Sequence, residues 1–165
     1  RRVVVIDALG SPAGSMTVPR ENAIVKTVVR QLNLDHPELC ALWVQPFTAV
    51  GAALVGVLEA PSDDLHAGEL TTSLLLHLAP ELVVGTADDY LPEVGPEYLD
   101  YAPLATLSPT GVWGRPSLAT AEKGRLALEA AVRETVRYVE ESIKLLERAR
   151  PGSTGTQDCP YGPPP

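Results

Sequence analysis

The sequence predicts an α/β protein: a three-layer α/β/α domain built around a mostly parallel sheet. Two short runs of apolar and β-branched residues, at 3–7 and 39–44, are typical of strands buried in a parallel sheet. After each run comes a segment in which apolar residues recur every three or four positions, as in amphipathic helices. Strands that alternate with helices favour a parallel sheet covered by helices.

The first strand and the first helix follow from local composition. The β-branched run at 3–7 predicts a strand buried on both faces. Residues 8–18 are small and turn-rich and predict a loop. Pro19 suits the first position of a helix, and Glu21 falls in the first turn, where a carboxylate favours the helix dipole. An apolar stripe continues this helix up to the His-Pro pair at 36–37: Ile24, Val28 and Leu32.

The middle of the chain combines regular and irregular segments. After the second strand at 39–44, a helix is predicted from about His66 to Leu78, and Pro80 prevents it from continuing. Residues 81–85 suit either a short third strand or an extended exit from the helix. Residues 86–118 contain five prolines and predict an irregular loop, of a length that is often functional.

The last predicted helix is the longest. Thr120 can cap it, and it runs to about Arg150. Glu alternates with Lys and Arg on one face, which predicts a solvated surface, while the opposite stripe is apolar: Leu128, Val132, Val136, Val139, Ile143 and Leu146. We assign residues 1–150 to one α/β domain and the Pro/Gly-rich residues 151–165 to a disordered tail.

Charge and cysteine content bear on partners and location. The net charge of −8 over 165 residues argues against binding to nucleic acid or to an anionic membrane, and no apolar run reaches the roughly 18 residues of a membrane span. Cys40 and Cys159 are far apart in the chain and lack a CxxC spacing, so we expect free thiols and a cytoplasmic protein without a signal peptide. Because the chain begins with Arg1, we expect it to be processed, truncated or a fragment.

One long stretch of the chain is uniformly acidic. Ten acidic residues lie between Glu59 and Asp100, with no Lys or Arg among them. They form either a solvated acidic surface or, in part, a site for a divalent cation. The cation hypothesis points to a mixed carboxylate and imidazole set suited to Zn²⁺ or Mn²⁺: Asp63, Asp64, His66 and Glu69. On a helix, His66 and Glu69 would share one face.

Two segments resemble motifs of the creatininase family. Residues 65–83 read LHAGELTTSLLLHLAPELV and resemble the family's HAGE-x-ETS-LML-L-PELV segment. Residues 110–124 read TGVWGRPSLATAEKG and resemble its GV-G-P-ATAEKG segment, which leads into the last helix. Their order and spacing also fit, and the resemblance covers roughly residues 1–148.

The resemblance implies a metal-dependent amidohydrolase with a creatininase-like fold. Members of the family open cyclic amides or remove formyl groups, using Zn²⁺, Mn²⁺ or Fe²⁺ to activate water, and often assemble as hexamers. By resemblance, His66 moves protons and Glu69 belongs to the metal neighbourhood, where Asp64 of the acidic stretch could assist. Trp113 lies in the proline-rich loop near this site and is a candidate for contact with the substrate. The simpler alternatives are a surface histidine, carboxylates of a helix first turn and a buried tryptophan.

Departures from the family pattern leave two hypotheses for function. The family's first metal loop is absent, Thr71 stands where Glu is common, and Pro19–Asn22 stands where some members read HYEN, which would keep Glu21 as a ligand without the histidine. The chain is then either a hydrolase of small-molecule amides that carries a divalent metal, working as a homo-oligomer, or a non-catalytic, metal-free creatininase-like subunit that assembles with an active homologue.

Overall fold

The fold is α/β, as predicted, and is built on a parallel pair of strands. The computed structural model describes residues 2–6, 19–46, 51–85 and 87–149, and only the backbone of residues 19–23 and 51–52. Strands β1 (Arg2–Ile6) and β2 (Cys40–Val44) pair in parallel, with Arg2 opposite Cys40 and Ile6 opposite Val44. Helix α1 (Pro19–Asp35) lies between them in the chain. The predicted loop 8–18, the tail 151–165 and Cys159 lie outside the described residues.

The first strand is more exposed than its sequence predicts. Val3, Val4 and Ile6 expose 41%, 38% and 60% of their surface, whereas Cys40 and Val44 of β2 are buried. The prediction of a strand buried on both faces is therefore wrong for β1 in the described part of the chain. A β-branched run suits a strand, but its burial depends on which elements cover it.

Helix α1 is attached to β2 by an asparagine near its end. The Asn33 side-chain amide donates to the carbonyl oxygen of Ala41 and accepts from its N–H, both at 2.8 Å. The same amide nitrogen also donates to the carbonyl oxygen of Val29, one turn earlier in the helix, at 3.1 Å. The helix end and the strand are thereby held in a fixed relation.

The core lies where two further helices pack together. Helix α2 (Glu69–Leu78) packs against the first half of the long helix α4 (Ala121–Ala149), and the short α3 (Leu104–Leu107) lies between them in the chain. Thr120 caps α4 as predicted, because its hydroxyl accepts the N–H of Lys123 at 3.1 Å. The buried apolar cluster consists of Leu54, Leu58, Leu70, Ala127, Ala130 and Ala131.

The face that α4 buries differs from the predicted one. Val132 and Val136, in the predicted apolar stripe, are 57% and 52% exposed. The buried residues of the helix are small: Gly124, Ala127, Ala130, Ala131 and Thr135. Small residues are needed there because α2 comes so close that a Cβ on Gly124 would lie 1.9 Å from the carbonyl oxygen of Ser73.

The proline-rich stretch is more ordered than its composition predicts. Short 3₁₀ helices form at Pro80–Leu82, Pro96–Asp100 and Pro116–Leu118. Residues 81–82 lie in the first of these and residues 83–85 form no strand, so the third strand is wrong and the extended exit is confined to residues 83–85. Asp89 accepts hydrogen bonds from the N–H and hydroxyl of Ser117, at 3.0 and 2.7 Å, which join the two ends of the stretch.

Within the described ranges, no helix combines the length and the hydropathy that a membrane span requires.

Candidate functional site

His66 lies on an antiparallel bridge with Trp113 that brings the two family-like segments together. The backbone of His66 donates to and accepts from that of Trp113, at 3.0 and 2.8 Å. Its exposed imidazole lies with Nδ1 2.7 Å from the carbonyl oxygen of Gly111. Because a carbonyl oxygen only accepts, Nδ1 carries the proton of this hydrogen bond, and Nε2 is the ring nitrogen left to act as a base. Within the described residues, Nε2 has no hydrogen-bond partner.

The predicted helical arrangement of His66 and Glu69 is wrong. Helix α2 begins at Glu69 and not at His66, since Ala67 has a φ of +52°, outside the helical region. His66 is exposed, whereas Glu69 is 0% exposed and contacts other segments. The two residues therefore do not share a helix face, and their side chains have different surroundings.

Glu69 is an anchor point for three segments. Its carboxylate accepts the backbone N–H of Glu59 and of Ala60, each at 3.0 Å, and forms a buried ion pair with Lys123. Burial by itself raises the pKa of Glu69, but the Lys123 ammonium and these two N–H groups outweigh it and hold the pKa below its ordinary value. Glu69 is therefore a buried, ionised and fully bonded carboxylate.

Asp64 closes the turn that carries His66. It is 2% exposed, and its carboxylate accepts the N–H of Leu70 at the start of α2. Burial raises the pKa of Asp64; the N–H groups of Leu70 and Gly68 oppose this rise, and the charge of Glu69 adds to it. Asp64 therefore spans the turn between residues 64 and 70 at an electrostatic cost.

This cost predicts how the Asp64→Asn variant behaves with pH. The folded pKa of Asp64 lies above the 3.8 of an unperturbed carboxyl, so a stabilisation present below pH 3.8 is lost as the pH rises through the folded pKa. Asparagine keeps an acceptor for Leu70 but cannot ionise. We expect the free energy of unfolding of the variant, minus that of the wild type, to increase as the pH rises above 3.8. Urea unfolding at a series of pH values measures this difference.

The control for this series is Asp100→Asn, which removes the same charge from an exposed position. The wild type should not lose stability against this control over the same pH range. If the wild type instead gains on Asp64→Asn as the pH rises, the ionised form of Asp64 is favoured by folding and the assigned direction is wrong.

The structure places the other predicted site residues as follows. Trp113 is 6% exposed and belongs to the buried residues, which favours its alternative interpretation as a packing residue; its backbone holds His66. Asp63 forms an ion pair with Arg115 at 3.0 Å. Glu21 lies in the first turn of α1, but its side chain lies outside the described residues.

The described donors do not fit the predicted metal site. In the described ranges, no group of three or more His, Cys, Asp or Glu side chains could hold a metal ion. The oxygens of Glu69 are occupied by Lys123 and two N–H groups, and Asp64 is bonded to Leu70. A metal ion at either carboxylate would have to replace those bonds.

Lys123 belongs to a helix face that the sequence pattern predicts to be solvated, and the pattern gives it no role in the site. In the structure, its side chain is 16% exposed and paired with Glu69 and Glu59. A signal was available: an acidic stretch of ten carboxylates without a basic residue must find a cation elsewhere if one of them is buried.

Comparison with known proteins shows the family. The sequence model of the creatininase family, described as creatinine amidohydrolase, matches residues 20–139. The chain therefore belongs to the creatininase family. It is 37% identical over 98 residues to a mycofactocin precursor peptide peptidase from Mycobacterium ulcerans (strain Agy99), a match that covers 56% of this chain and 36% of that protein.

A solved structure is also similar. The crystal structure of a candidate creatinine amidohydrolase from Bacteroides fragilis NCTC 9343 matches with a TM-score of 0.48 and 28% identity, covering 67% of this chain and 47% of that one. The chain thus spans about a third of the length of the curated relative and about half of the length of the solved one.

Proposed function

We propose that this chain supplies His66 as the proton-transferring group of a creatininase-family amidohydrolase that cleaves the C–N bond of an amide. The observation that carries this proposal is the fixed imidazole: Nδ1 is held by the carbonyl oxygen of Gly111 at 2.7 Å, and the exposed ring presents Nε2. Membership of the family supports it.

The geometry suits general acid–base work. A neutral imidazole with one free ring nitrogen can take a proton from an attacking water and give it to the leaving amine. Fixing the ring through Nδ1 selects the tautomer that exposes Nε2, so the ring need not reorient before each transfer. The backbone bridge to Trp113 holds the main chain of His66, from which the imidazole projects, in place.

The family is generally metal-dependent, and the described residues do not fit such an ion. We propose that a Zn²⁺, Mn²⁺ or Fe²⁺ ion, where the enzyme uses one, is held by residues outside the described part of this chain, such as the Glu21 side chain or another subunit. In that case the homo-oligomer expected from the resemblance would complete the site.

The substrate class is an amide, in a small molecule or a peptide. The family description names creatinine, a cyclic amide, whereas the curated relative is named as a peptidase of a precursor peptide. A substrate panel therefore has to include creatinine, a formylated amine and short peptides. We expect the enzyme to work in the cytoplasm, which suits the free, buried Cys40.

His66→Ala is expected to reduce turnover by about 100-fold or more, since general acid–base groups contribute at least that much. The free energy of unfolding should change by no more than about 1 kcal/mol, because the exposed side chain makes one hydrogen bond in the described structure. The measurement is steady-state hydrolysis of whichever panel compound the wild-type protein turns over, with urea unfolding alongside.

His77→Ala is the matched control, because His77 is an exposed histidine in the last turn of α2. It should keep wild-type turnover. A His66→Ala variant as active as this control would contradict the proposal. Loss of turnover on treatment with a chelator, restored by one of the three metals, would support the metal requirement.

A second candidate function is a non-catalytic subunit of an assembly. It is favoured by the two buried carboxylates, Asp64 and Glu69, which are bonded within the fold instead of being left open for a ligand. This candidate predicts a stable, metal-free complex with a second copy or an active homologue, and no turnover of any panel compound. Chelator-sensitive hydrolysis by the isolated protein would exclude it.

A further inference from the structure

We infer that the buried ion pair between Glu69 and Lys123 is a positioning device for His66, and that Glu69 acts as an anchor instead of a metal ligand. The inference rests on the proposed function only in treating His66 as the proton-transferring group. The positioning itself is a property of the fold and can be measured without a substrate.

The carboxylate of Glu69 has no acceptor position left for a metal ion. It is 0% exposed and receives two backbone N–H groups, from Glu59 and Ala60, besides the ammonium of Lys123. Each of the two carboxylate oxygens receives two contacts, because the N–H of Glu59 lies 3.0 Å from both, while Ala60 bonds one oxygen and Lys123 the other. A cation approaching Glu69 would also meet the fixed positive charge of Lys123.

The ammonium group of Lys123 is fully bonded as well. It has three protons and three acceptors: Glu69, the carboxylate of Glu59 at 2.8 Å and the carbonyl oxygen of Leu118 at 2.7 Å. Lys123 lies in the first turn of α4, and Glu69 is the first residue of α2. The pair therefore fixes the start of one helix to the start of the other and to the segment at 59–60.

The start of α2, which Glu69 anchors, is connected to His66 through the turn that precedes it. The turn from Asp64 to Leu70 is closed by the carboxylate of Asp64, and Gly68 within it packs so closely on Gly114 that a Cβ on Gly114 would lie 2.7 Å from the Gly68 Cα. His66 is bridged in the same turn to Trp113. The turn therefore moves with the start of α2, and the contact of Nδ1 with Gly111 depends on where Glu69 holds that start.

The test is the tautomer of His66, read by ¹⁵N NMR of the histidine-labelled full chain at about pH 8, where imidazoles are neutral. In the wild type we expect His66 to be mainly protonated on Nδ1. In Glu69→Gln, which puts donors of its own against two N–H groups and an ammonium, the population should shift towards the Nε2-protonated form of a free imidazole. His36 and His77 serve as internal references and should not change.

Glu59→Gln is the matched control. Glu59 also bonds Lys123, but its side chain is 65% exposed. This variant should leave the His66 tautomer as in the wild type. A Glu69→Gln protein that is folded by circular dichroism and has the wild-type tautomer at His66 would overturn the positioning role, because a merely structural residue would lower stability alone.

A measurement on the wild type keeps the inference testable even where Glu69→Gln does not fold. Zn²⁺ added to the ¹³C-glutamate-labelled chain should leave the Glu69 carboxyl signal unshifted, and a stoichiometric shift of that signal would overturn the inference. If the proposed function is wrong, the His66→Ala variant will be fully active. Both NMR results would be unaffected by that outcome.

Discussion

Lys123→Met is expected to lower the free energy of unfolding by about 3–5 kcal/mol, the range found when one partner of a buried ion pair is removed. The variant keeps an unbranched side chain of similar length but leaves the carboxylate of Glu69, which is 0% exposed, without its cation. It also leaves the carbonyl oxygen of Leu118 without a donor. Urea unfolding near neutral pH, followed by circular dichroism, measures the loss.

Arg125→Met provides the control on the same helix. Arg125 pairs with Glu122 and Glu129, both at 2.6 Å, but all three side chains are substantially exposed. Surface pairs of this kind contribute about 0–1 kcal/mol. A Lys123→Met variant that is no less stable than Arg125→Met would contradict the burial of the Glu69 carboxylate and its dependence on Lys123.

The pair also gives the Lys123→Met difference a definite pH dependence. The pKa of Glu69 is held below the 4.5 of an unperturbed glutamate, so its ionised form contributes stability that is present above pH 4.5 and is lost as the pH falls through the folded pKa. Burial by itself lowers the pKa of Lys123, but Glu59 and Glu69 outweigh it and raise the pKa above 10.5. The Lys123 contribution is therefore complete below pH 10.5 and is lost as the pH rises through that folded value. The stability difference between wild type and variant should be largest between these limits and should shrink in acid.

Periodicity and composition predicted the elements well but not their surroundings. The helix capped by Thr120 and the parallel pair of strands follow from local patterns, because caps and β-branched runs act over a few residues. The burial of Lys123 and the exposure of β1 depend on residues far away in the chain. Glu69 and Lys123 are 54 positions apart, a separation that no local pattern encodes.

The start of α2 shows the same limit at shorter range. The spacing of His66 and Glu69 is compatible with one helix, and no proline between them marks a later start of that helix. The positive φ of Ala67 follows from tertiary contacts: Trp113 holds His66 on one side, and Asp64 caps the helix at Leu70 on the other. Tertiary contacts here override the helical propensity of alanine, and they separate the two side chains that the helical interpretation brought together.

Gly124→Ala is expected to destabilise the protein by about 3 kcal/mol, the upper end for overpacking a well-packed core. In an exposed helix, replacing glycine by alanine would stabilise by about 1 kcal/mol. Here the added Cβ would lie 1.9 Å from the carbonyl oxygen and 2.5 Å from the carbonyl carbon of Ser73. Because both are backbone atoms of α2, no side-chain rotation can relieve the contact, and the two helices must separate.

This separation would strain the contacts that cross from α4 to α2 and to the His66 turn. The N–H of Thr120 donates to the hydroxyl of Ser73 at 3.1 Å. Lys123, which directly precedes Gly124, bonds Glu69. Gly56→Ala is the control: Gly56 has a φ of +88° and no atom within 4 Å of an added Cβ, so only the backbone conformation costs energy, about 1–2 kcal/mol. Urea unfolding of both variants separates the two costs. A Gly124→Ala protein as stable as the wild type, or more stable, would show that helix propensity prevails at this position and that α2 and α4 do not approach each other at Gly124.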